Sequence, residues 1–543
     1  MTAGEDASGL LLVRDGDQSP AAADPVALVS SRKQAPAKMP APGELGDDHN
    51  HPNDLAVQRW AVIAQEGPAG DELIRRIKPL IEARRREQDA PVREFRVPSA
   101  MTADEAARWK RTVYQQSERH RKDLPRYQLI LGDLDAVSQD LQVSQAVDGF
   151  VGRLAFDRPE QYAAYCEKLL LAEQGGATGA RAVFHAVRDG TAATELGYKG
   201  LVRPCVESAR DLRGRGRGEF PAELLESGGD EPDPDEFREA IRERGVLLSM
   251  SHGVGAPRGG WKSAAAQRAG QGAMSFGRDF GALGGADLAG VPCVPGGVWL
   301  MFACFGAGTP TTSKYTRWLK LLEEHGELGG ALETVLASLP RAGERPFVAA
   351  LPKAVLASER GPLAFIGHVD LAWTYSFREV DLGRPILQTG RFVDPVAALL
   401  KGDRVGVAFD MLFRWFAQVS VDLGMLDTDE SADPLRRARM WMLRQDLAGF
   451  MLLGDPAARV VAPPAPVRAA APVAPMDFFA GMTVLPAAAP ARPDLGRLEA
   501  AIGQLLAGTG DAGRLAAGLG MTRAQLEEEF KRYRAAGRAA IGR

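Results

Sequence analysis

Cysteine is scarce in this sequence: Cys166, Cys205, Cys293 and Cys304 are the only four in 543 residues, and no two stand in a CxxC spacing. That count excludes a disulfide framework and a thiolate metal site, and it suits a reducing compartment. An excess of charge of either sign is also missing, since 66 Lys and Arg against 70 Asp and Glu leave a formal net charge of −4. Without a basic field there is no electrostatic basis for binding nucleic acid or an anionic membrane surface. Nor is there a long apolar run: nothing approaches the ~20 residues that span a bilayer. Leu10 to Val13 is too short for the core of a signal peptide, so a cytoplasmic location is expected. Nucleotide signatures are absent too. There is no GxxxxGK[ST], and Gly175-Gly-Ala-Thr-Gly179 lacks the strand-to-helix setting of a dinucleotide loop. No cofactor is expected, and no metal: the run Asp47, Asp48, His49 and His51 reads as solvated polar chain rather than a ligand set.

What is present is the composition of a globular protein, 45% hydrophobic and 25% charged, long enough for three or four average domains. Residues 1–55 are rich in Ala, Pro, Ser and Asp without periodicity, the composition of a disordered tail. From 56 to 209 amphipathic patterns such as Gly70–Arg86, Met101–His120 and Pro159–Glu173 surround a short buried run, Tyr127–Leu131, which reads as an α/β subdomain. The charged, Gly-rich and Pro-rich passage 210–235, containing Arg213-Gly-Arg-Gly-Arg-Gly218, reads as an exposed loop. Across 236–460 the apolar runs Val246–Met250, Val298–Ala303, Phe347–Leu351 and Leu363–Ile366 alternate with helical patterns at Tyr315–Glu324, Val393–Leu400, Val405–Leu423 and Pro434–Leu453. Unbroken apolar runs of that length are strands covered on both faces, so a mostly parallel sheet flanked by helices is expected. An Ala- and Pro-rich linker, 461–495, precedes a small helical module at 496–543, where Thr522 to Gln525 fits a capping box. That module is too small for much of a core, which suggests that it binds a protein partner.

One pair of residues points to chemistry. His252 follows the run Gly245–Ser251, and Cys304 follows Gly297–Ala303, each with glycine close behind in Ser251-His-Gly253 and Cys304-Phe-Gly-Ala-Gly308. In an open parallel sheet the carboxyl ends of the strands form the ligand crevice, so both side chains reach one rim. A thiolate is the attacking species, and an imidazole beside it takes the proton or lowers the thiol pKa. The glycines permit close approach of a peptide backbone. The N–H groups of Gly253 and Cys304 are then placed to bind an oxyanion. A lone cysteine at a strand end is ordinarily packing. The pairing is what distinguishes this one, because His252 precedes it by nearly the ~50 residues that separate histidine and cysteine in caspases.

With those two segments on the page, the chain resembles the caspase-like cysteine peptidases, the superfamily of caspases, gingipains and CHAT-type proteases. The resemblance covers roughly 240–460 and implies an α/β caspase-hemoglobinase fold, with a smaller α/β subdomain ahead of the catalytic one. It also implies an endopeptidase working through a Cys304–His252 dyad on protein or peptide substrates, in a setting such as bacterial signalling or defence. The sequence lacks the caspase QACxG motif, and the Gly-rich stretch 253–285 exceeds a simple loop. A second segment, Phe365-Ile-Gly-His-Val-Asp-Leu-Ala-Trp373, also resembles the histidine motif of gingipains. No cysteine follows it, so His252 is preferred as the base, and His368, Asp370 and Trp373 are expected to wall the substrate cleft. Asp370 suits a basic residue ahead of the scissile bond, in which case the Arg213–Arg217 loop is a self-processing site; the alternative for Asp370 is a carboxylate that caps its own loop. The competing reading is a catalytically silent α/β scaffold that holds a peptide in the same cleft.

Overall fold

The computed structural model describes residues 10–20, 51–115 and 124–462, apart from 178, 216, 217, 219, 230, 327–329, 342, 382, 383 and 429–432. It also describes the short strand pair at 7–8 and 26–27 and parts of 501–531. Its frame is a ten-stranded sheet. In chain order the strands are β1 (Trp60–Gln65), β2 (Arg93–Val97), β3 (Tyr127–Leu131), β4 (Phe150–Leu154), β5 (Arg181–Ala186), β6 (Leu224–Ser227), β7 (Gly245–Met250), β8 (Val298–Phe302), β9 (Ala364–His368) and β10 (Phe450–Gly454). Most read as unbroken apolar runs, and β3, β4, β7, β8, β9 and β10 are buried along their whole length. Strands covered on both faces by helices need this composition, and parallel pairing is its usual accompaniment.

The strand order is β2-β1-β3-β4-β10-β9-β8-β7-β5-β6. Every neighbouring pair is parallel except β10 with β9. The sheet therefore consists of two parallel halves of opposite direction that meet at the β10–β9 seam. The mostly parallel α/β architecture expected from the sequence is what the chain adopts. The smaller subdomain is joined to the larger edge to edge in one sheet, and its innermost strand, β10, comes from the far end of the larger one.

Several segments depart from expectation. Pro434–Leu453 reads as one helix, but the helix ends at Ala448, and Phe450–Gly454 pairs with β9 as a strand. A short apolar run cannot be told from a buried helix by periodicity, and Gly449 is the break. Phe347–Leu351 gives only a two-residue strand before a helix starts at Ala350. The 210–235 passage is not simply an exposed loop: a helix runs on to Gly214, and β6 lies within it, paired with β5. Residues 216 and 217 of the arginine loop lie outside the described residues. The expected tail also contains structure. Leu10 to Val13 are buried, and Leu12–Arg14 pairs in parallel with Gly253–Gly255. Of the Asp47 to His51 run only His51 is described, and its Nδ1 accepts the Asn53 N–H at 3.2 Å.

The chain divides after Ala465 into two compact units. In the second, Asp511 caps the helix Ala512–Gly518, its carboxylate accepting the Arg514 N–H, and Ala501, Ala516 and Leu526 share a small buried cluster. The linker from 463 on and the Thr522 to Gln525 capping box fall outside the described residues, in whole or in part. Among the described residues no helix is long and apolar enough to cross a membrane.

Candidate active site

The carboxyl ends of β5, β7, β8 and β9 form one rim, because these four strands are parallel and in register. β7 pairs with β8 from Val246–Val298 to Met250–Phe302, and His252 and Cys304 each lie two residues beyond that last pair. The two segments stay in contact past the strands. The Ser251 N–H donates to the Phe302 carbonyl at 3.2 Å, and a Cβ on Gly253 would fall 1.9 Å from the Cys304 carbonyl oxygen. Only glycine fits there, and the reason is the approach of the Cys304 main chain. The glycine at 308 serves packing rather than an incoming peptide, since its missing Cβ makes room for the Phe347 carbonyl.

His252 is fully buried and is oriented by residues from the β5 end that sequence reasoning did not single out. Its Nε2 lies 2.9 Å from Thr191 Oγ1 and 3.8 Å from Asp189 Oδ2. Thr191 gives its hydroxyl proton to Asp189 Oδ1 at 2.8 Å, so the network assigns the imidazole proton to Nε2, donated to Thr191. Nδ1 is left as the bare nitrogen, with no hydrogen-bond partner among the described residues. Burial pushes the imidazole pKa down, and the Asp189 carboxylate opposes that shift. What hid Asp189 is the run before it: Arg188-Asp-Gly190 follows Arg181–Ala186, whose arginine and histidine interrupt the apolar pattern.

Cys304 is equally buried. Its sulfur accepts the Ala372 N–H at 3.2 Å and faces the Ala372 carbonyl at 3.6 Å. Burial raises the thiol pKa well above its ordinary value, and backbone hydrogen bonds from Ala372 and Leu11 oppose the rise. Burial thus favours the neutral form of each group, and among the described residues no hydrogen bond joins them: the sulfur bonds Ala372, and Nδ1 of His252 bonds nothing. What closes the site is the chain itself. The Gly253 and Cys304 N–H groups both donate to the Leu11 carbonyl, at 2.7 and 3.2 Å. The two donors named from the sequence converge on one peptide oxygen.

The remaining residues divide by role. His368, at the end of β9, is packed between Phe302 and Phe450 with neither ring nitrogen hydrogen-bonded among the described residues, and burial takes its pKa down to about 3. Its Nε2 lies 3.9 Å from the buried Asp446 Oδ1, which opposes the effect of burial, and the ring is otherwise held by aromatic packing. Asp370 holds its own turn, Oδ1 accepting the Leu371 N–H and Oδ2 the Lys314 N–H, at a positive φ of 110°. Burial pushes its pKa up to about 6. Trp373 makes an antiparallel bridge with Leu10 and so lies along the inserted segment. Its N–H, with that of Ser376, is held by Asp446, whose pKa burial raises to about 7.

No protein-family model and no curated protein sequence matches the chain. Two solved structures are similar in backbone course. One, titled as the structure of a protease, has 11% identity and a TM-score of 0.46 over 77% of this chain and 81% of its own. The other is the Arg-specific cysteine proteinase gingipain R, with 12% identity and a TM-score of 0.42 over 75% of this chain and 80% of its own.

Proposed function

We propose that the chain is a caspase-like cysteine endopeptidase, with Cys304 as nucleophile and His252 as general base and then general acid. The observation that carries this reading is the convergence of the Gly253 and Cys304 N–H groups on one peptide carbonyl whose backbone also hydrogen-bonds the Cys304 sulfur. The Gly253 N–H bond is also a rung of the parallel pairing with Leu12–Arg14, so what favours the reading is the second donor, the Cys304 N–H, on the same carbonyl. Two converging donors are what stabilisation of an acyl-transfer oxyanion requires.

The chemistry follows from the geometry. On this reading the thiol, which faces the Ala372 carbonyl at rest, turns to the unpartnered Nδ1 of His252 and gives it the proton as the sulfur attacks the carbonyl carbon, and the new S–C bond leaves negative charge on the oxygen between the two N–H groups. Each such donor is worth ~2.7–4 kcal/mol in the transition state. Asp189, through Thr191, holds the ring in the tautomer that can accept the proton and steadies the imidazolium that forms. Collapse breaks the C–N bond, His252 returns the proton to the leaving amine, and water hydrolyses the thioester by the reverse path.

The second reading, a silent scaffold holding a peptide, draws on the complete burial of the thiol. Hydrolysis of a denatured protein substrate by the full chain and by Cys304→Ala separates the two. The peptidase reading expects the variant to lose activity to background. Equal rates for the two proteins, both with residues 10–14 in place and with that segment released, leave the scaffold.

A further inference from the structure

We propose that Leu10–Arg14 occupies the cleft as a peptide substrate would, and that the site accordingly takes leucine as the residue ahead of the scissile bond. This rests on the peptidase reading and gives it a substrate class.

The segment is threaded through the site along its whole length. Leu10 bridges Trp373 in antiparallel register. Leu11 puts its carbonyl between the Gly253 and Cys304 N–H groups. Beyond it, Leu12, Val13 and Arg14 pair in parallel with Gly253, Val254 and Gly255, and Arg14 is anchored by Nε and Nη2 on Thr334 Oγ1 at 2.9 and 2.7 Å. Main-chain pairing of this kind gives affinity to any extended peptide, while the pockets for its side chains give selectivity. Leu11 is 0% exposed and belongs to the continuous apolar core. Leu12 packs where Gly255 has no Cβ, since a carbon there would lie 2.7 Å from Leu12 Cδ1. A basic residue at the Leu11 position has no counter-ion in Asp370, whose two oxygens are taken by backbone N–H groups. The segment also keeps the Cys304–His252 pair dry, so the chain as folded blocks its own site.

The test uses the full chain, its Leu11→Asp variant, and Cys304→Ala as the blank, each digesting peptides from a denatured proteome, with cut sites read by mass spectrometry. A carboxylate cannot be buried in the Leu11 pocket without a partner, so the variant releases the segment. Leucine is expected ahead of the cut at several times its frequency in the library, with turnover at least fivefold faster in Leu11→Asp than in the unmodified chain. Cutting without enrichment of leucine, or no gain from Leu11→Asp, overturns the inference and leaves the peptidase reading standing. No cutting above the Cys304→Ala blank by a folded Leu11→Asp overturns both. If Leu11→Asp does not fold, the unmodified chain is titrated with the aldehyde of residues 8–11, Ser-Gly-Leu-leucinal, and with the same compound ending in arginal. The leucinal should inhibit at least tenfold more strongly, and equal or reversed potency refutes the leucine site.

Discussion

At the scale of single residues, the tightest constraint in the site is Gly253. Its hydrogen faces the Cys304 carbonyl where a methyl group would sit 1.9 Å from the oxygen, so Gly253→Ala must push one strand end away from the other. A displacement near 1 Å at reacting groups costs roughly 10²-fold in rate. The expected result is a loss of that size in kcat/KM with secondary structure unchanged, measured by peptide hydrolysis and circular dichroism. Asp189 gives a second prediction. Its carboxylate raises the His252 pKa against burial, so Asp189→Asn should move the acidic limb of the kcat/KM profile to lower pH as well as slowing the reaction. On the peptidase reading that limb reports Cys304 and His252 together rather than one residue. The strand-end positions of Cys304, His252 and Gly253 were legible in the sequence, because a buried run followed by glycine marks a strand end. Asp189 and Thr191 were not, because the strand before them carries Arg181 and His185. Leu11 escaped for a different reason: averaged over 55 residues, Ala and Pro outweigh four apolar side chains, and nothing local announces which cleft those four will fill.

At the scale of elements, the end of β10 is fastened to the rest of its half of the sheet by Asp455. Its carboxylate accepts from Trp60 Nε1, from Arg84 and from the Ala457 N–H, and both Arg84 and Asp455 are buried. Burial lowers the Arg84 pKa, but Asp455 and Glu173 more than offset it and hold the guanidinium charged. Without Asp455, Arg84 keeps Glu87 and Glu173, but the Trp60 indole N–H and the Ala457 N–H are left buried without an acceptor, at ~1–3 kcal/mol each. Asp455→Ala should lose stability of that order in urea unfolding, more than an exposed pair such as Arg108–Asp104 could account for. The elements themselves were largely legible where periodicity is long, as in the helices Pro159–Gln174 and Thr316–Glu324. β10 was not, because the four apolar residues Phe450–Leu453, one glycine after a helix, look like its continuation. Strand order lay beyond reach as well, since no local pattern says that residues 450–454 pair between β9 and β4.

At the scale of the whole molecule, two buried carboxylates make stability depend on pH in an unusual direction. Asp370 and Asp446 have pKa values of about 6 and about 7, above the ~3.9 of an unfolded aspartate. The folded state therefore holds these protons more tightly, and the stability they contribute is full below pH ~4 and lost as pH rises through 6 and 7. Asp446→Asn removes one of these titrations. The stability of the unmodified chain relative to that variant should fall as pH is raised from 5 to 8, by urea unfolding at each pH, and a constant difference refutes the assignment.

The position of β10 reaches into how the protein is made. A chain emerging from the ribosome presents β4 and β9 long before residues 450–454 exist to lie between them. Until that strand arrives, two neighbouring edges stay unpaired, and the β9 edge borders the strand that carries Cys304. Long-range pairing of this kind closes late and slowly, so the thiol can take its final surroundings only once translation has passed Gly454.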